Sequence, residues 1–587
     1  MPRFADSIAH VLVSCCVALL CAASFGCNGA IGGLEPGPFA PGPGLEPGTP
    51  ETPALPEPIL CESDVTRVST EALRRLSVRE YTQVLAQMLP REAIDAAQGD
   101  LVALPADNTE PGEFDRELHS TLSDPLFDAA ERMASVLVTS TDWLESMDAA
   151  CIAEGLAEDD ASETCVEAFF ADLAELLWRR PVTEDELALY VELYAADSEG
   201  YDSQAQRVAN VVAALLSDPE FMLVIPTVDA EQNLSPHSVA TRLALQLTGS
   251  APDAALRDAA DDGSLLEEDT RLIHAERLAR SAAGRTHLRS LFAGWLDLEA
   301  AVDISAPAGI YGYDPDGLWE ELRNEALDVV EYVVFEEEGS YQDLLETDLE
   351  AASTARLADL MEQDEASATP QASRTGRVGL LARPALMATP NEIASPILRG
   401  VRFLERILCR HLAAPPAEAD AIADMLLSEI DLSESTSRER TAHATSPAAC
   451  AGCHNAINPL GYLFSAFGPV GQPWTEGEIT LNEDSSPSGR KEVDDTVERF
   501  VLDGEELSLS GTAGIAEALS ASEEAQLCAG LQLFRITHLR DPEPSDACHL
   551  GDITQGVRNN ESILNILVRQ AALESIQLSD GTGRSAR

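Results

Sequence analysis

From Ser77 onward the chain sets apolar residues at helical spacing. In "SVREYTQVLAQML", Val78, Tyr81, Val84, Leu85, Met88 and Leu89 recur on one face. Ser77, with Glu80 three residues later, has the form of a capping box, which starts a helix. A polar break follows at 105–115, and helical patterning resumes from about Asp124. "PVTEDELALYVELYA" repeats the device: Thr183 caps, Glu186 completes the box, and Leu187, Tyr190, Val191 and Tyr194 form the stripe. "AQRVANVVAALLSDPEFML" predicts a further amphipathic helix. Ser235 with Pro236 predicts the start of a longer helical region reaching about Asp359. The acid-rich stretch 360–374 reads as a loop. Apolar–polar alternation is lacking until about 478, after which "TVERFVL" and "ELSLSG" read as short strands. These patterns predict a mainly α, multidomain protein with a few short strands near its C-terminus.

The N-terminal region has a different pattern. After Arg3 comes an apolar stretch from Ile8 to Phe25, then "SFGC", with Gly26 before Cys27. This has the form of an export signal whose cleavage leaves Cys27 as a lipid-carrying N-terminus. Residues 28–60 are rich in Pro and Gly and read as an extended tether. No later stretch approaches the roughly 18 apolar residues of a spanning helix. The expected organisation is therefore a signal at 1–27, a tether at 28–60, helical modules at 61–110, 111–230 and 231–372, a site-bearing module at 373–478 and a C-terminal module at 479–587.

Charge and cysteine usage narrow the function. The formal charge is −63, from 101 acids and 38 bases, and Lys491 is the only lysine. Phosphate backbones and anionic lipid surfaces repel such a chain, so nucleic-acid binding is excluded and membrane contact is confined to the lipid anchor. Export favours disulfides. Beyond the signal the cysteines are Cys61, Cys151, Cys165, Cys409, Cys450, Cys453, Cys528 and Cys548. Sequence proximity pairs Cys151 with Cys165 and Cys528 with Cys548, leaving Cys61 with Cys409; six cysteines allow fifteen pairings, so the last pair is a remainder.

Cys450 and Cys453 are set apart by "CAGCH". Two cysteines at i and i+3 lie on one side of a helical turn, where both sulfurs can reach the vinyl groups of one porphyrin. His454 then presents its imidazole to the iron as proximal ligand. The spacing predicts one covalent haem c. Two other readings use the same residues: a zinc site completed by Cys528, Cys548 or His549, and a local Cys450–Cys453 disulfide. The second axial ligand is open between His443, seven residues before Cys450, the methionines Met387 and Met425, the histidines His411, His538 and His549, and an open position. Elsewhere, Arg179 and Arg180 could hold an anion or pair with carboxylates. "YDPDGLWEE" at 313–321 has the look of a calcium loop without its full ligand spacing.

The segment "RERTAHATSPAACAGCHNAINPLGYLFSAFGPVGQ" resembles the haem segment of the planctomycete-type cytochrome c multidomain proteins, a group built from domains of unknown function. His443, Cys450, Cys453, His454, Ile457, Pro459, Leu460, Gly461, Phe467 and Gly471 fit its pattern. Asn458 and Gly468 stand where the group usually has an acid, and Tyr462 where it has Phe. Similar stretches occur in "LRRLSVREYTQVLAQML", in the region from "LLWRRPVTEDELALYVELY" to "LLSDPEFML", in "VATRLALQLTGSAPDAAL", and in "GRVGLLARPALM" with "SPILRGVRFLERILC". A further one, "SGTAGIAEALSASEEAQLCAGLQLFRITHLRD", resembles the group's C-terminal module, with Cys528 and Cys548 placed as in its members. The resemblance implies exported proteins with modules in this order and lends no reaction.

The expectation is an exported protein, periplasmic or at the cell surface and lipid-anchored to the outer membrane, that transfers electrons to or from a basic redox partner. A haem enzyme with an open sixth position and a non-redox scaffold with structural haem are the alternatives.

Overall fold

The computed structural model describes residues 68–71, 74–104, 120–196, 203–228, 234–482, 484–543, 546–572 and 575–578. The signal with Cys27, the tether, Cys61 and the polar break lie outside them. Helices dominate, and the strands form only two-stranded pairs, as the patterning predicts.

The helices that matter below are α1 (Val78–Met88), α2 (Glu163–Trp178), α3 (Gln204–Leu216), α4 (Pro236–Thr248), α5 (Leu318–Phe335), α6 (Pro396–Ile407), α7 (Ala419–Leu427), α8 (Ser437–Ala444), α9 (Ala451–Tyr462), α10 (Glu523–His538) and α11 (Ala547–Arg558). Both capping boxes form. The Ser77 side chain accepts from Glu80 N, while the Glu80 carboxylate accepts from Ser77 N at 2.8 Å. Thr183 and Glu186 exchange the same pair of bonds. The α1 stripe buries Tyr81, Val84 and Leu85 in a first core with Phe169, Phe170, Val208 and Leu215 of α2 and α3.

Of the two adjacent arginines only Arg180 pairs with carboxylates, while Arg179 bonds backbone carbonyls. Arg179 ends α2 in the left-handed region, φ 62°, and turns back to donate to the carbonyls of Leu177, Phe221 and Leu223. Arg180 pairs with Glu186 at 2.8 Å and Glu220 at 2.9 Å. Two carboxylates against one guanidinium leave that position poorly suited to an anion.

A second core runs from α4 and α5 through α6 and α9 to α10 and α11, so the CAGCH segment shares its interior with the C-terminal region. Three arginines in it are fully buried. Arg377 pairs with Glu350 and Arg383 with Glu325, each partner also at zero exposure. Arg399 of α6 uses carbonyls instead: Met387 O, Phe464 O, Phe467 O and Gly468 O, at 2.7–3.1 Å. A guanidinium offers five donors in a fixed fork, which suits a convergence of carbonyls at the turn after α9.

Near the C-terminus, β1 (Glu478–Leu481) pairs with β2 (Pro487–Lys491), and β3 (Thr496–Leu502) with β4 (Glu505–Ser510). The β3–β4 turn is Asp503-Gly504, both at positive φ, as a two-residue hairpin of this hand requires. The 360–374 stretch is mostly irregular, but Gln371–Ala372 pairs with Leu349–Glu350.

The disulfides follow space rather than sequence. Cys151 bonds Cys165. Cys528 bonds Cys409, not Cys548, across 119 residues. Cys528 lies within α10, whose inner face meets the end of α6, and Cys409 follows α6 at once. Cys548 is also disulfide-bonded, with a partner outside the described residues. The 313–321 loop holds no calcium set: Arg356 Nη1 donates to Asp314 O and Asp316 O at 2.8 and 2.9 Å, so a guanidinium occupies those carbonyls.

Candidate functional site

The site is built on the first turn of α9. Cys450 is its N-cap residue, and His454 N donates to Cys450 O at 3.1 Å, so the whole motif sits in helical register. Both thiols are free; Cys450 is half-buried and Cys453 exposed. Cys528 and Cys548, the cysteines a zinc site would have recruited, are held in disulfides.

Helix α9 is held by a backbone crossing with α6. A Cβ built on Gly461 would lie 2.6 Å from the Pro396 carbonyl carbon and overlap its oxygen. A Cβ on Gly400 would overlap Ile457 O. Glycine at both positions lets the two backbones touch. The inner face of α9 then buries Ile457, Leu460 and Gly461, with Phe464 just beyond against Phe403 at 4.7 Å between ring centroids. The outer face carries the thiols.

His454 is locked by its own helix. Its Nδ1 lies 2.9 Å from Asn458 Oδ1, one turn on. Asn458 Nδ2 donates to Thr445 Oγ1 at 2.9 Å, and the Thr445 hydroxyl donates to Thr441 O at 2.8 Å. The order of donors is forced. Thr445 gives its one proton to a carbonyl and so accepts from the amide nitrogen. The amide therefore shows its oxygen to the imidazole, Nδ1 carries the proton, and Nε2 is left as a bare lone pair. Asn458, buried at 7% exposure, occupies a place where the resemblance leads to an acid.

Helix α8 closes the other side. Thr436 and Glu439 form its capping box, Ser437 N donates to the buried Glu478, and Arg438 lies over the Tyr462 ring at 4.5 Å. Burial pushes the Glu478 carboxyl up. Among the described residues, His443 Nε2 is buried without a hydrogen-bond partner, 3.9 Å from Glu429 Oε2. Helix α7 packs on α8 yet buries none of its residues, and Ile422 and Met425 stand exposed at 39% and 57%. Two free thiols, the His454 Nε2 and the His443 Nε2 on the neighbouring helix are donors of the kind a covalent haem uses.

Other expected ligands lie elsewhere. Met387 is fully buried in the second core. His538 and His549 pack on each other and on Phe534 in the α10–α11 pair, with burial holding His549 down at about 4. His411 is exposed beyond α6. Among the described residues no group of three His, Cys, Asp or Glu could hold a metal ion unaided, and no helix is long and apolar enough to cross a membrane.

Three family models match the chain in succession. Residues 165–225 match PSD5, a protein of unknown function (DUF1595). Residues 234–361 match PSD4, a protein of unknown function (DUF1592). Residues 377–477 match PSCyt3, a protein of unknown function (DUF1588), and this span contains the whole of α6 to α9. The chain belongs to the planctomycete cytochrome c-type multidomain families. As a member of these families it carries the α9 turn within the stretch that matches PSCyt3. No curated protein and no solved structure matches the chain.

Proposed function

We propose that this member of the cytochrome c-type families is an exported electron-transfer protein carrying one haem c on α9. The observation that supports it is the first turn of α9: two free thiols at i and i+3, followed by a histidine whose Nε2 is left bare by the Asn458 bond. Cys450 and Cys453 would hold the porphyrin. The bound group supplies one-electron chemistry. His454 would ligate the iron through Nε2. His443 and Met425 are candidates for a second iron ligand; Met387 would have to leave the core. Cys27 as lipid anchor and location outside the cytoplasm complete the proposal, since haem c is loaded there. The acidic surface would favour a basic redox partner.

The test is a pyridine haemochrome spectrum on protein exported by a host that matures c-type cytochromes, beside Cys453→Ala. A c-type spectrum altered in the variant supports attachment at this turn. Its absence in the parent protein overturns the electron-transfer reading. Carbon monoxide added to the ferrous protein then separates the readings: slow or absent binding supports a six-coordinate carrier, and fast binding favours a haem enzyme.

A further inference from the structure

Most buried side chains near the site have structural work to do. Arg399 gathers carbonyls, Glu478 caps α8, and Arg438 ties α8 to the start of β3 through Asp494 O and Thr496 O. Asn458 differs from them. Its oxygen meets an imidazole and its nitrogen the hydroxyl that orients it, with a further side-chain hydrogen bond to Tyr462 on the same helix. A buried polar side chain fixed at both ends, one end on a candidate ligand, is how ligands to metals are held and tuned.

We propose that Asn458 is a positioning residue that sets the redox balance of the haem iron through His454. The inference rests on the haem reading above. It goes further by assigning an electronic consequence to one amide. The acceptor on a ligating histidine controls how much negative charge the imidazole carries. A carboxylate draws the Nδ1 proton toward itself, makes Nε2 a stronger donor and favours the ferric state. A neutral amide oxygen polarises the N–H bond less and leaves the imidazole neutral, which favours the ferrous state by comparison. Thr445 adjusts the strength of this bond. By accepting from Nδ2 it polarises the amide and sharpens Oδ1 as an acceptor. It also blocks the flipped amide, which would present a donor to Nδ1 and force the proton onto Nε2, where no iron could bind. Asn458 thus has two roles: it selects the tautomer that can ligate, and it holds the donor strength of that tautomer below what an acid would give.

Two substitutions test this with opposite expected signs. Asn458→Asp is nearly isosteric, keeps the acceptor and adds charge. Its haem-loaded protein should show a lower midpoint potential, by at least the equivalent of a tenfold change in the ferric-to-ferrous ratio, about 59 mV for a one-electron couple. Thr445→Val removes the hydroxyl that polarises the amide, and its potential should rise. A merely structural role would move neither in a signed way. Spectroelectrochemical titration of parent and both variants gives the readout, each first shown by haemochrome spectrum to hold covalent haem. Opposite shifts support the assignment. Coincident potentials with haem in place overturn it while leaving the electron-transfer reading intact. A parent protein without covalent haem overturns both. If Asn458→Asp fails to fold, an upward shift in Thr445→Val supports the proposal and an unchanged potential overturns it.

Discussion

Helix α9 carries two glycines whose replacement by alanine should act with opposite sign. At Gly461 a new Cβ would stand 2.6 Å from the Pro396 carbonyl carbon, where ordinary contact begins at 3.4 Å. The obstacle is backbone, and the carbonyl oxygen lies nearer than its carbon, so the seam with α6 must open by more than roughly 0.8 Å. A gap of about 0.5–1 Å forfeits a quarter to a half of each dispersion contact across it. The buried neighbours at risk include Ile457, Leu460 and Phe403. Overpacking of this kind costs about 2–3 kcal/mol. At Gly452, on the same helix, a Cβ meets nothing within 4 Å. There alanine only removes glycine's excess unfolded-state freedom, a gain of about 0.5–1 kcal/mol. Urea unfolding followed by circular dichroism should place Gly461→Ala below the parent by roughly 1 M, if the slope is about 3 kcal/mol/M. Gly452→Ala should unfold at or above the parent midpoint. Equal midpoints for Gly461→Ala and the parent, or equal losses at the two sites, would refute the crossing as the device that holds the site.

Arg399→Met should destabilise by about 3 kcal/mol, because it strips the guanidinium donors from Met387 O and from the carbonyls after α9; a melting temperature within a degree of the parent's would exclude that role. Acid should weaken the fold above the carboxylate range. Burial holds His287 and His549 at about 4, against about 6.5 when unfolded, so from pH 7.5 to 5 the unfolded chain gains protons that the folded one refuses. Stability is therefore full above pH 6.5 and falls by about 2 kcal/mol per histidine by pH 5; His549→Gln should flatten the slope, and an unchanged slope in that variant would contradict the assignment. Association with a basic redox partner should slow as salt is added, and a rate flat across ionic strength in stopped flow would remove the acidic surface as the steering element.

The features legible in the sequence are the local ones. The capping boxes at Ser77 and Thr183 lie within four residues of chain, and the CAGCH turn within five. Asn458 was within reach of the same logic: it lies at i+4 from His454, the spacing at which helical side chains meet. Nothing local marks this amide, rather than a carbonyl from elsewhere in the chain, as the acceptor for the imidazole. The Asp503-Gly504 dipeptide likewise marks the turn between β3 and β4. What could not be read depends on distance. The α6–α9 crossing needs Gly400 brought against Ile457 and Gly461 against Pro396, 57 and 65 positions apart, and neither glycine differs locally from Gly452. Sequence proximity paired Cys528 with Cys548, and it failed because α10 presents Cys528 to the end of α6. The 313–321 acids looked available for a cation until Arg356 reached their backbone from another helix.

The two buried ion pairs bear on how such a protein can change over generations. Glu325 and Glu350 belong to the stretch matching one family, and Arg383 and Arg377 to the stretch matching the next. A gene fusion that joined a foreign partner between residues 361 and 377 would leave each half with two unneutralised charges in a dry interior. Removing one member of such a pair costs about 3–5 kcal/mol, and here two would go at once. Exchanging one stretch without the other would therefore destabilise the fold, and the core the two stretches share adds to that tie.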